Sequence, residues 1–218
     1  MEWSPRTLGD NVDQEGGRMN ILSLLSVQRG HFSYESGYHG QIWLDLDRLF
    51  LDPRLLTPFA NQLAERLAPY RIKMVVGPLV GGSFVAQMIA TELGTSFGYS
   101  EPLPPTADDK LYPVAYRLPT SLAPHLKGKR VAIVDDVVNA GSAVRGTFGA
   151  LVEVGAKPVV AGALLVLGET ALPRLAEHHM TLERLAELPN PLWQPASCPL
   201  CARGIPFGQS PRDDLGGA

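Results

Sequence analysis

The sequence predicts an α/β fold with a mostly parallel central sheet flanked by helices. Three observations predict it. Short apolar runs rich in β-branched residues occur at 72–76, 131–134 and 158–167, the pattern of strands covered on both faces. Stretches with helical spacing lie between them, and Gly-rich turns mark the strand-to-helix junctions.

In order along the chain, residues 1–18 are rich in Gly, Asp, Glu and Asn without periodicity and read as a disordered leader, with Met19 as an alternative start. Residues 21–28 predict a helix. Residues 55–67 have helical spacing closed by Pro69, residues 72–76 form the first core strand, and residues 84–93 form the helix after a turn from Gly77 to Gly82. Strands are expected at 96–100 and 112–118, with the Pro-rich, polar stretch 101–111 between them as a mobile loop. The strand at 131–134 leads into Asp135 and Asp136, then a small-residue turn and a helix at 143–154. The strand at 158–167 is followed by two short amphipathic stretches, 171–178 and 182–188. The division is thus a leader (1–18), one domain (19–190) and a Pro-rich tail (191–218).

Bulk properties narrow the function. At 218 residues and 45% hydrophobic content the chain can bury one sizeable core. A net charge of −3 provides no basic footprint for nucleic acid. No apolar run is long enough to span a bilayer, and the start lacks signal-peptide character, so a soluble, cytoplasmic protein is expected. Two cysteines do not make a disulfide framework.

The most informative stretch is residues 130–145. At a strand-to-helix turn, successive backbone N–H groups and the helix N-terminus converge and favour an anion. Asp135 and Asp136 sit toward the carboxyl end of the strand, the edge where open α/β sheets bind ligands. Carboxylates there repel phosphate but accept hydrogen bonds from ribose hydroxyls, so the combination suits a sugar phosphate. A nucleotide-hydrolase phosphate loop is excluded because the Gly-rich segment at 77–83 contains no Lys. A receiver domain is disfavoured because the acidic pair lies more than halfway along the chain.

The run of hydrophobic strand, Asp135-Asp136, two hydrophobics and Asn139-Ala140-Gly141-Ser142 resembles the phosphoribosyl pyrophosphate (PRPP) motif of type I phosphoribosyltransferases, and Ala140 to Arg145 is most similar to the orotate branch. Relatives usually carry Thr at the positions of Asn139 and Ser142; Ser142 keeps a hydroxyl. The resemblance covers roughly residues 20 to 168. It implies a small hood over the base, built from the segment 30–39 and parts of the tail. It further implies a 5′-phosphate cradle of Asn139, Ala140, Gly141, Ser142 and Ala143, and pyrophosphate binding by Leu79, Val80 and Gly81, where relatives often have a non-proline cis peptide. Asp135 and Asp136 would act at the ribose, directly or through Mg²⁺ that also bridges the pyrophosphate. Lys110 would supply loop charge, and Arg145, Phe32 and Ser36 would meet the base. A homodimer is the expected assembly, with PRPP and a small base as partners.

Departures are specific. Many relatives have Lys immediately before Ser36-Gly37, whereas this chain has Glu35, which reads either as an exposed turn acid or as a reversal of local charge. The loop that in relatives carries Lys and His has only Lys110, preceded by Asp108 and Asp109, and Lys110 reads equally as a solvated charge. Arg145 is either a bidentate carboxylate partner or a surface residue. The implied reaction is transfer of phosphoribose from PRPP to orotate. The alternatives are a non-catalytic PRPP-binding regulator and a transferase for a purine or xanthine-type base, with Phe32 or Tyr34 as aromatic platform. In the tail, Cys198 and Cys201 have the spacing of half a structural Zn²⁺ site. The remaining ligands would come from His178 or His179, or from a second copy; the alternative is two reduced thiols.

Overall fold

The structure is a computed structural model that describes residues 20–104, 111–112 and 114–208. Its strands are β1 (Ser26–Ser33), β2 (His39–Asp45), β3 (Met74–Pro78), β4 (Ser96–Pro102), β5 (Tyr116–Arg117), β6 (Arg130–Val138), β7 (Lys157–Leu167) and β8 (Thr181–Leu188). The helices are α1 (Asp47–Phe50), α2 (Pro53–Leu67), α3 (Gly81–Glu92), α4 (Ala123–Leu126), α5 (Ser142–Glu153), α6 (Leu172–Glu177) and α7 (Pro199–Ala202).

Six strands form one sheet in the order β5-β4-β3-β6-β7-β8, parallel except for β5, which runs antiparallel to β4 at the edge. The period of two in each strand sorts side chains onto two cores. On one face Val75, Ala132 and Val134 meet Leu56, Phe59 and Leu63 of α2 and Val85 and Ile89 of α3. On the other, Met74, Val76, Val131 and Ile133 meet Val144 and Leu151 of α5 and Leu175 of α6. Each of these large apolar side chains stabilises the fold by about 1.5–3 kcal/mol when fully buried. Helix α2 starts where Asp52 accepts a hydrogen bond from the Arg54 amide and Pro53 presets the first turn. It ends at Leu67, as Pro69 predicts.

Two expectations are corrected and one is made specific. Residues 21–28 are not a helix: a 3-10 turn (Ile21–Leu24) passes into β1, because pairing with β2, Val27 opposite Leu44 and Arg29 opposite Ile42, overrides local spacing. The strand expected at 112–118 contracts to Tyr116–Arg117. Of the two amphipathic stretches, the second is strand β8, whose pairing with β7 extends the sheet.

The β1–β2 hairpin is the hood. The tail returns to it: Trp193 and His39 exchange backbone hydrogen bonds, N to O at 2.8 and 2.9 Å. The tail cysteines do not meet His178 or His179. His178 stacks on Phe148 with ring centroids 4.3 Å apart, while Cys198 and Cys201 lie beside His31 and His39. No helix among the described residues is long and apolar enough to cross a membrane.

Candidate active site

Strand order creates the site. After β3 the chain crosses through α3 to β4 on one side, and later enters β6 on the other side of β3. The connections therefore diverge at the β3–β6 boundary and leave a crevice at the carboxyl ends of these two strands. The crevice has a volume of about 410 Å³ and is bounded by the turn after β3, the end of β6, the start of α5 and the hood.

On the β3 side, the Leu79–Val80 peptide is cis. The Leu79 amide donates to the Ser100 carbonyl (2.9 Å), and the Ser83 hydroxyl donates to the Val80 carbonyl (2.6 Å). Gly81 and Gly82 are the first residues of α3, whose opening amides have no partner within the helix. The turn presses on the acidic pair of β6: a Cβ on Gly81 would collide with Asp136 Oδ2, and one on Gly82 would lie 2.6 Å from Asp135 Oδ1. Only glycine permits this approach.

On the β6 side, Asp135 is 7% exposed and Asp136 is half-buried. Asp135 Oδ1 accepts from the Asp136 amide (3.1 Å), and Asp136 Oδ1 accepts from the Val137 amide (2.8 Å). Burial, reinforced by the charges of Asp136 and Glu35, holds the Asp135 carboxyl well above the usual carboxylate range. Asn139, Ala140, Gly141, Ser142 and Ala143 follow and line the same crevice. Gly141 adopts φ 79°, which turns the chain directly into α5 and leaves the first-turn amides facing the crevice mouth. Asn139 is fixed by Asn190, whose Nδ2 donates to Asn139 Oδ1 at 3.2 Å.

The hood closes the site with Tyr34, Glu35, Ser36 and Trp43. Tyr34 donates to the Ile42 carbonyl (2.5 Å), and burial raises its pKa. Glu35 is an exposed acid in the β1–β2 turn, and its Oε1 accepts from the Tyr116 hydroxyl at 3.0 Å, which ties the turn to the sheet edge.

The structure thus brings together Leu79, Val80, Gly81, Asp135, Asp136, the five cradle residues and Ser36. Two expected base contacts are not among the residues around the crevice. Phe32 is 4% exposed and packs against Trp43, ring centroids 5.8 Å apart, because its strand position points it into the hood. Arg145 projects to the other side of the cradle, its guanidinium 4.6 Å above the Tyr112 ring and 3.4 Å from the Tyr112 carbonyl. Lys110 lies outside the described residues, as do Asp108 and Asp109. Sequence reasoning missed Trp43, Tyr112 and Asn190. Tyr112 donates to the Ala140 carbonyl (3.2 Å) and is faced by both Arg145 and Arg174, and no local motif marks it.

Comparison with known proteins agrees with this geometry. A model of the phosphoribosyl transferase domain matches residues 54–183. Among similar proteins, an orotate phosphoribosyltransferase of Caldanaerobacter subterraneus is 27% identical over 181 residues, 83% of this chain and 88% of that protein. One from Chlorobium phaeobacteroides is 30% identical over 183 residues, 84% and 87% of the two chains. Among solved structures, orotate phosphoribosyltransferase from Aeropyrum pernix is 28% identical with a TM-score of 0.57, covering 74% of this chain and 87% of that one. Adenine phosphoribosyltransferase from Thermoanaerobacter pseudethanolicus, at 18% identity and TM-score 0.55, over 67% of this chain and 88% of that one, shares the fold. With the acidic pair, the cradle and the glycine turn meeting at one switch point inside the matched span, the chain belongs to the type I phosphoribosyltransferase family.

Proposed function

We propose that the protein transfers the phosphoribosyl group of PRPP to orotate, releasing pyrophosphate. The observation that carries the reading is the single crevice in which the glycine turn, the acidic pair and the cradle lie under one hood. The relatives named orotate phosphoribosyltransferase support the choice of base.

The first-turn amides of α5 and the Ser142 hydroxyl bind the 5′-phosphate. Asp135 and Asp136 accept hydrogen bonds from the ribose hydroxyls and stabilise the positive charge that develops on the sugar. The amides of Gly81 and Gly82 meet the departing pyrophosphate, and Tyr34, Ser36 and Trp43 cover the base and exclude water. Reaction then follows from positioning and fixed charge.

Three carboxylates near one crevice oppose an anionic substrate, so a cation belongs to the proposal. An all-oxygen donor set and mutually repelling carboxylates fit Mg²⁺. Asp135 or Asp136 would hold the ion, which supplies charge neutralisation on the pyrophosphate. A homodimer and a cytoplasmic location complete the proposal.

A second reading keeps the transfer and changes the base. It is favoured by the placement of Arg145 on Tyr112, away from the crevice, and by the aromatic pair Tyr34 and Trp43 inside it. One assay separates them: ultraviolet absorbance of orotate, uracil, xanthine, guanine or adenine incubated with PRPP and Mg²⁺. Consumption of orotate with release of pyrophosphate is expected. Reaction with another base alone overturns the orotate assignment, and PRPP binding with no base consumed overturns transfer.

A further inference from the structure

The Cys-x-x-Cys of the tail and two histidines of the hood converge on one point, although about 170 residues separate them in sequence. The hairpin register explains how both histidines reach it. Between Arg29–Ile42 and Phe32–Gly40 the pairing shifts by one residue, a bulge in β1. A bulge re-aims a side chain. Alternation is broken there: His31 and Phe32 are both buried, and His31 turns to the same side as His39 at the start of β2. From the tail, Cys198 precedes α7 and Cys201 lies in its single turn, which brings both sulfurs to one side.

The distances carry the chemistry. His31 Nε2 is 3.4 Å from His39 Nδ1, 3.5 Å from Cys198 Sγ and 3.7 Å from Cys201 Sγ, and Cys201 Sγ is 3.3 Å from His39 Nδ1. All four ligand atoms lie within 4.8 Å of one another. A tetrahedral zinc with Zn–N of about 2.0–2.1 Å and Zn–S of about 2.3 Å has edges of roughly 3.3 Å between nitrogens and roughly 3.6 Å between nitrogen and sulfur. The one nitrogen–nitrogen and three nitrogen–sulfur separations given above have the size of those edges.

Hydrogen bonding among the four groups does not account for the arrangement as well. His31 Nδ1 is 2.7 Å from the Ile205 carbonyl. A carbonyl only accepts, so the neutral ring carries its proton on Nδ1 and presents a bare lone pair at Nε2. That lone pair faces three neighbours and can accept from one. An imidazole whose second nitrogen donates to a backbone carbonyl is also the usual orientation of a metal ligand. Phe207 packs on both rings, 4.2 Å from His31 and 4.9 Å from His39, and shields them.

The geometry points to a structural zinc site made of His31, His39, Cys198 and Cys201, which pins the carboxyl-terminal tail to the hood. Two nitrogens and two sulfurs are the donor set of a four-coordinate zinc, and four protein ligands leave no open position for chemistry. The ligand set is complete within one chain, so it requires no second copy. The site is separate from the crevice and its carboxylates, and its existence does not depend on which base the enzyme uses.

The test is metal binding to the full chain with reduced thiols. Elemental analysis after dialysis against micromolar zinc is expected to give one zinc per chain. Cobalt substitution is expected to give the intense visible bands of a tetrahedral site and sulfur-to-cobalt charge transfer. Cys201→Ser, chosen because Cys201 is exposed and the change is small, should weaken binding by more than the ~10–100-fold that outer-shell partners cost. His178→Ala should leave metal content unchanged. A reduced wild-type chain that takes up no zinc, a cobalt spectrum of six-coordinate type, or undiminished binding by folded Cys201→Ser overturns the site. Should circular dichroism show that variant unfolded, the wild-type stoichiometry and cobalt spectrum decide the question alone.

Discussion

Replacing Gly81 with alanine tests whether the turn after β3 is pressed against the acidic pair. The added Cβ would collide with Asp136 Oδ2 and would stand 3.1 Å from the Phe50 ring. The carboxylate cannot swing away freely, because its other oxygen accepts from the Val137 amide at 2.8 Å. Either the helix start is pushed outward, an overpacking change of about 1–3 kcal/mol, or the charged hydrogen bond is lost, at about 1.5–3 kcal/mol. Taking about 2–3 kcal/mol, the melting temperature should fall by roughly 4–12 °C for a chain of this size. Catalysis should suffer as well, since displacement of Asp136 removes the acceptor proposed for the ribose. A loss of about 1.5–3 kcal/mol of transition-state binding lowers kcat/KM for PRPP by roughly 10–150-fold. Thermal melts and steady-state kinetics at saturating base measure both. Wild-type values for stability and kcat/KM together would refute the close approach, and a stability loss with unchanged kinetics would refute the role given to Asp136.

Gly149 lies inside α5 with nothing within 4 Å of an added Cβ, so Gly149→Ala should stabilise the chain by about 0.5–1 kcal/mol; a lower melting temperature would contradict that environment. Asp135→Asn keeps the oxygen that accepts from the Asp136 amide and removes a carboxyl whose folded-state pKa is raised by burial and neighbouring charge. A group raised in this way contributes stability below its unfolded pKa, near 4, and loses it as pH rises through the folded value. The variant should therefore melt at or above the wild-type temperature at neutral pH, without ligand, while losing most of its activity. The advantage should shrink on acidification, and a neutral-pH destabilisation would argue against an uncompensated charge. Arg145 stands over Tyr112, away from the crevice, so Arg145→Ala should leave the KM for orotate and the KM for PRPP each within about twofold. A selective rise of about tenfold or more in the KM for orotate would place Arg145 on the base after all.

What could be read from the sequence was what local spacing determines. The strand at 131–134, the acidic pair and Gly141 fall within eleven residues of one strand–turn–helix unit, so a single window contains them all. The glycine turn at 77–82 was legible for the same reason. Residues whose roles come from tertiary pairing were not. A window over 21–28 has helical spacing, yet β1 forms because β2 is available to pair with it. The resemblance assigns Phe32 to the base as an aromatic of the hood, but the bulge in β1 buries it against Trp43. Tyr112 and Asn190 acquire their positions from contacts with Ala140 and Asn139, which no window around either residue contains.

The acidic character of the crevice has one physical consequence for the whole molecule. Glu35 accepts from Tyr116, Asp135 is buried, and Asp136 accepts from the Val137 amide, so each of the three is oriented by a named contact or by burial. Burial and the nearby charges of Asp136 and Glu35 oppose ionisation of Asp135, whereas under the proposed transfer the same carboxylates would lower the barrier as positive charge develops on the sugar. The hood must then be firm enough to keep Glu35 and Ser36 in place. A two-stranded hairpin is marginal by itself, and here its outer end is buttressed by the tail through Trp193 and the histidine–cysteine cluster. The tail falls outside the span matched by the family domain, yet it anchors the hairpin that brings Tyr34, Glu35, Ser36 and Trp43 to the crevice.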